Sequence, residues 1–157
     1  FLTRFNGSQV NDCETLKNLI VIDSPGVLSG EKQTLGRSYD YAKVVEWFAE
    51  RSDMIVLLFD VFKCDLSDEM NTSIKALGKY ADKVKVVLNK SDSVSHQHLM
   101  NVYGALLWNL GRVIKTPEVV KVYIGSFWNE KQKNDETVAL INKEMNDFLR
   151  DLHDLPR

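Results

Sequence analysis

Three polar clusters stand at the ends of apolar runs, and together they have the residue types of a nucleotide site. The first is Asp23-Ser24-Pro25-Gly26, directly after Leu19-Ile20-Val21-Ile22. A carboxylate leaving a buried strand can hold the water shell of Mg²⁺, a cation that binds through few carboxylates together with phosphates. Gly26 has no side chain to keep its backbone N–H from a terminal phosphate. Taken alone, D-x-P-G equally marks a turn.

The second cluster, Asn89-Lys90-Ser91-Asp92, follows Val84-Lys85-Val86-Val87-Leu88. Asp92 can accept from base N–H groups, the Lys90 stem can cover a purine face, and Asn89 can tie the loop to its neighbours. As four residues on their own they also read as a polar loop capping the next helix. Ser126-Phe127-Trp128, after Val119-Val120-Lys121-Val122-Tyr123-Ile124-Gly125, stands where a loop with Ser126 and Trp128 would complete a base pocket. Agreement in type and order at three strand ends points to a nucleotide-binding domain of the P-loop class.

The elements that must position these residues are legible. The runs at 19–22, 54–59, 84–88 and 119–124 are short, β-branched and nearly continuous in apolar residues, as strands buried in a parallel sheet are. The stretches between them are long enough for crossover helices. Tyr41, Val44, Val45 and Phe48 form one helical stripe. Ser67-Asp68-Glu69 opens a helix expected to reach Tyr80, Ser95 to Ile114 is the longest, and Glu136 to Leu152 the last. The expected fold is α/β, a doubly wound, mostly parallel sheet whose ligand lies beyond the carboxyl ends of the strands.

Composition narrows the function. The 157 residues suit one domain, with 44% hydrophobic and 27% charged residues arguing against disorder. A formal net charge of −2 provides no basic field for nucleic acid or anionic lipid. No apolar run reaches the length of a membrane span, and Phe1 onward does not read as a signal peptide. Cys13 and Cys64 lack metal-ligand spacing and read as two free thiols, which fits the cytoplasm. His96, His98 and His153 show no convergent ligands, and 129–136 reads as an exposed loop.

With these residues in place, the chain resembles the EH-domain-containing proteins, dynamin-related ATPases that remodel endosomal membranes. The resemblance is carried by the segment from Asp23 to Gln33, by Trp47-Phe48-Ala49-Glu50-Arg51, and by Leu57-Leu58-Phe59-Asp60. It continues through Val86 to Asp92, Val102-Tyr103-Gly104-Ala105-Leu106 and Thr116-Pro117-Glu118-Val119. It ends in Val122-Tyr123-Ile124-Gly125-Ser126-Phe127-Trp128, the most specific of these runs. The resemblance implies a dynamin-type G domain, of which residues 1–157 are the C-terminal part. It also implies slow hydrolysis of ATP with Mg²⁺ on assembly, although Asn89, Lys90 and Asp92 by themselves suggest guanine and hence GTP. A homodimer formed through the G domain, a helical membrane-binding region and a C-terminal EH domain, the last two not in this chain, are further implications. So is a peripheral location on endosomal or plasma membranes, in endocytic recycling.

Two departures from that pattern bear on activity. No G-x-x-x-x-G-K-[ST] occurs in these residues. The chain is therefore expected to lack the first strand, first helix and switch I of a G domain, and the second strand as well. In the family fold the first strand lies between those ending at Asp23 and Asp60, so the expected sheet either pairs these two directly or has its gap filled by another chain. Nucleotide binding by the 157 residues alone is expected to be weak or absent. Second, Val27 stands where Ras-like enzymes place the water-orienting Gln, and an aliphatic side chain cannot align water. Gln33 is near, without geometry to make it catalytic.

On the helix from Ser95 to Ile114, at roughly 100° per residue, Leu99, Val102, Tyr103, Leu106, Leu110 and Val113 fall within about 60° of one direction. Trp108 points roughly 180° away, beside Gly104 and Gly111. It reads either as a surface residue packed over a loop or as a protein–protein anchor, which the resemblance implies is that of the homodimer. Three functions follow from these expectations: a membrane-remodelling ATPase, a GTP-specific regulatory GTPase, or a non-catalytic dimerisation scaffold.

Overall fold

The computed structural model of the chain describes residues 6–10, 12–13, 16–27, 39–114, 120–128 and 133–155. The glycines at 30 and 36, Gln33, and the Thr116-Pro117-Glu118-Val119 segment lie outside the described residues.

Among the described residues, apolar, β-branched segments form three parallel strands in the order β1-β2-β3: β1 is Ile55–Asp60, β2 is Val84–Asn89 and β3 is Val122–Ile124. Ile55 pairs with Val84 and Asp60 with Asn89 at the two ends of one ladder; Val86 to Leu88 pair with Val122 to Ile124 in the other. Side chains alternate between the two faces. Leu57, Phe59, Val84, Val86, Leu88, Val122 and Ile124 look into the larger core, where they meet Leu99, Leu106, Leu110 and Ile141. Val87 and Tyr123 look the other way, onto Phe148 and Met145.

Among the described residues four α-helices flank the sheet: α1 Tyr41–Arg51, α2 Asp68–Ala76, α3 His96–Val113 and α4 Val138–His153. Local chemistry sets their starts. The side chains of Asp40, Ser67 and Ser95 accept from the backbone N–H of Lys43, Met70 and His98, and so satisfy donors that an α-helix leaves open. Asp68 and Glu69 then sit in the first turn of α2, where the helix dipole favours negative charge.

Sequence and structure part at two places. The helix expected from Ser67 to Tyr80 ends at Ala76 and continues as a 3₁₀ helix, Leu77–Lys83, with a kink at Tyr80. Gly78, one of the weakest helix formers, stands just past the break. The strand expected at Leu19–Ile22 is not formed: these residues join no ladder, and Ile20 is 92% exposed. A β-branched run becomes a strand only when a neighbour takes its backbone hydrogen bonds, and among the described residues none does. The direct pairing of this run with β1 therefore does not occur, and β1 is an edge strand of the described sheet.

Candidate nucleotide site

The carboxyl ends of β2 and β3 are laced by short hydrogen bonds, which gather the residues singled out at 89–92 and 126. Gly125 N–H donates to the Leu88 carbonyl (2.9 Å), and Ser91 N–H donates to the Gly125 carbonyl (3.1 Å). Ser91 is buried, with its hydroxyl donating to the Leu88 carbonyl (2.7 Å). Asn89 Oδ1 accepts from Lys90 N (2.8 Å) and from Phe127 N (2.9 Å), so one amide oxygen ties the two loops. That is the tying role its position suggested.

Asp92 sits deeper than the sequence implies. It is 3% exposed, and Oδ1 accepts from Ser126 Oγ (2.7 Å) while Oδ2 accepts from Lys133 N (3.2 Å). Two of about four lone-pair sites are thus in use, and the carboxylate keeps acceptor capacity for further donors. Asn134, whose Nδ2 donates to the Val94 carbonyl (2.9 Å), holds the covering segment down. Trp128 is half-exposed, with Lys133 Nζ 5.7 Å from its ring centre.

The floor of this loop is built by α4. Phe127 meets Phe148 edge-on at 6.2 Å between ring centres, and Tyr123 meets it at 5.4 Å. A Cβ on Gly125 would lie 2.6 Å from Met145 Sδ and 3.4 Å from Val87 Cγ1, so glycine leaves room for the Met145 side chain of α4. Nothing in the local sequence at Gly125 carries that requirement; it exists only once α4 is docked.

Lys90 has the one positive φ among described non-glycine residues (φ 61°, ψ 26°). Its ammonium lies 2.5 Å from Asp60 Oδ2, at the end of the neighbouring strand. Asp60 Oδ1 in turn accepts from Phe62 N (2.9 Å). Burial raises the Asp60 carboxyl, but the Lys90 hydrogen bond, the Phe62 N–H and the charges of Lys90 and Lys63 outweigh it and hold the group below its ordinary value. Asp60 is the polar residue that sequence reasoning passed over. Its signal was its place at a strand carboxyl end, but its partner follows from the register that sets Asp60 beside Asn89.

Asp23 and Gly26 lie elsewhere. Tyr41 at the start of α1 donates its hydroxyl proton to the Pro25 carbonyl (3.0 Å), which leaves Ser24 Oγ, 3.3 Å away, to donate to it. This holds the Asp23–Gly26 turn against α1, on one wall of a trough of about 380 Å³ whose other wall is β1. Asp23 is exposed. One exposed carboxylate is the kind of donor that holds Mg²⁺ through water, and among the described residues no cluster of three or more His, Cys, Asp or Glu could hold a metal. A Cβ at Gly26 would meet nothing within 4 Å, so packing does not require glycine there.

Trp108, on the outer face of α3, is 72% exposed, and Gly104 and Gly111 beside it open onto free space. His96, His98 and His153 are exposed, both cysteines are free thiols, and among the described residues no helix is long and apolar enough to cross a membrane.

No family model matches the chain. It is 52% identical over all 157 residues to EH domain-containing protein 3 of Mus musculus and of Homo sapiens, and equally to EH domain-containing protein 1 of Bos taurus. It spans 29% of the length of each of these relatives. The likeness to these EH domain-containing proteins runs from the first residue of the chain to its last and corresponds to one segment of them.

Proposed function

We propose that this segment supplies the base pocket and the Mg²⁺-side loop of a dynamin-type G domain, in a membrane-remodelling ATPase of endocytic recycling. The observation that carries the reading is the gathering of Asn89, Lys90, Asp92 and Ser126 at two adjacent strand ends, joined by the bonds Asn89–Phe127 and Asp92–Ser126. Such an arrangement holds an acceptor and a methylene stem ready for the edge and face of a base. Asp23 fits Mg²⁺ held through water, and Gly26 carries no side chain that would bar a phosphate. The remaining phosphate contacts would come from a Walker-type loop outside these residues. Bound Mg²⁺ would neutralise charge on the phosphates; this chain's own part is to hold base and loop. Val27 offers no group to orient water, so turnover in this reading is slow and depends on assembly.

Asp92 also favours a second reading, GTP. A carboxylate with two oxygens suits the two adjacent N–H donors of guanine better than the single amino group of adenine. Competition between labelled ATP and GTP for the full-length protein separates them. Comparable or tighter ATP binding supports the ATPase, and strong GTP preference selects a regulatory GTPase.

The partners follow the same reading. Trp108 would anchor a homodimer through its exposed face, and membrane lipids would be bound by regions outside this chain, at endosomal or plasma membranes. Trp108→Ala should leave the melting temperature nearly unchanged and shift the protein to monomer in sedimentation experiments. A dimer that persists at micromolar concentration removes Trp108 from the interface. A protein that dimerises and shows no nucleotide affinity at full length would be a scaffold instead.

A further inference from the structure

Lys90 is an unusual residue to find in the left-handed region. Glycine and asparagine take that conformation at least cost, whereas a lysine there is retained only where the surroundings over-determine it. Three contacts do so: Asn89 Oδ1 receives the Lys90 N–H, Asp60 receives the ammonium at 2.5 Å, and Phe62 N–H locks the Asp60 carboxylate from its other oxygen. The Lys90 side chain is half-exposed and Asp60 about a quarter exposed, a setting in which an ion pair adds little to fold stability. What the pair does set is direction. With both ends of Lys90 held, its four-carbon stem is confined between the end of β2 and the end of β1.

We propose that Asp60 is a positioning residue of the base site, which takes the Lys90 ammonium so that the methylene stem is presented as a flat apolar surface to the purine. This rests on the nucleotide reading above. It adds a residue from a neighbouring strand to the site, acting on the base through Lys90 and touching no phosphate. Without the Asp60 charge the stem regains its rotamers and must be ordered when nucleotide binds.

The test uses the full-length protein, with ATP and inorganic tripolyphosphate as probes, both with Mg²⁺. Asp60→Asn keeps an acceptor for Phe62 N–H and removes the charge. It should weaken ATP binding roughly three- to tenfold and leave tripolyphosphate binding and the melting temperature unchanged. In a Lys90→Met background, which retains an apolar stem without the ammonium, the same Asp60→Asn change should have no further effect. The inference is overturned if Asp60→Asn binds ATP as the wild type does. It is equally overturned if ATP and tripolyphosphate weaken together, or if the loss persists in Lys90→Met. If the wild-type protein does not distinguish ATP from tripolyphosphate, the base site itself fails, and the inference falls with it.

Discussion

Val87 and Tyr123 lie on the same face of the sheet as Val56 and Leu58, yet the first two are fully buried and the second two are 40% and 52% exposed. The difference is α4. Phe148 and Met145 cover β2 and β3, and Asp151 of the same helix receives the Tyr123 hydroxyl and lies beside Lys85. Across β1 no described element takes that place, and the Leu19–Ile22 run that would suit a strand stands free as well. Apolar sequence alone therefore does not decide burial: the covered region is buried because a helix closes it, and the residues at its strand ends are packed in consequence. The uncovered region has a turn held through Tyr41.

Several substitutions would break or sharpen this contrast. The largest effect is expected at Phe148→Ala, which removes the ring that supports both Tyr123 and Phe127. A loss of about 3–5 kcal/mol in urea unfolding is expected, with weaker nucleotide binding in the full-length protein because the Ser126–Trp128 loop loses its floor. Gly125→Ala should cost about 1–3 kcal/mol by displacing the Met145 side chain, whose Sδ would lie 2.6 Å from the added Cβ. If this substitution proves neutral, Met145 swings aside easily and glycine is not needed there.

On the other side, Leu58→Ser and Ile20→Ser should each change stability of the 157-residue chain by less than about 0.5 kcal/mol. In the full-length protein, Leu58→Ser should destabilise strongly if a further element covers β1, as the nucleotide reading requires. Equal, small effects in both would mean that β1 remains uncovered.

The smallest effect concerns pH. The hydrogen bond from Tyr123 lowers the Asp151 carboxyl most; burial opposes it, and the charge of Lys85, the Lys85 hydrogen bond and the charge of Lys121 add to the lowering. The folded value is thus below the ordinary 3.8 of the unfolded chain. The stabilisation is fully present above that value and is lost as pH falls through the folded one. Asp151→Asn should reduce the loss of stability between about pH 6 and pH 3, read from urea midpoints. An unchanged acid limb would show that Asp151 does not couple folding to pH.

Much of the fold was legible because its signals are local. The caps at Ser67 and Ser95, the stripe Leu99–Leu106–Leu110, and the runs that became β1 and β2 need no knowledge of neighbours. Leu19–Ile22 misled for the same reason, since strand formation depends on a partner that local pattern cannot supply. In the site, the spacing of Asn89, Lys90 and Asp92 was readable. The Asp60–Lys90 pair, the burial of Asp92 under residue 133, and the need for glycine at 125 were not. Each arises where segments distant in sequence meet, about 30 to 40 positions apart in the first two cases.

The edge of β1 carries a further consequence for the behaviour of the chain in solution. Ile55-Val56-Leu57-Leu58-Phe59 is an uncharged, proline-free stretch with strong β preference, and one side of its backbone is unpaired within the described sheet. Such an edge is a template on which an identical strand can add, and natural sheets usually blunt it with lysine, proline or a bulge. The isolated chain should therefore build cross-β assemblies as concentration rises, with thioflavin fluorescence growing in step with light scattering. A single Leu57→Lys substitution, though costly to the core, or a short charged strand peptide added in excess, should slow that growth. The limit on working with this segment would then be colloidal rather than conformational.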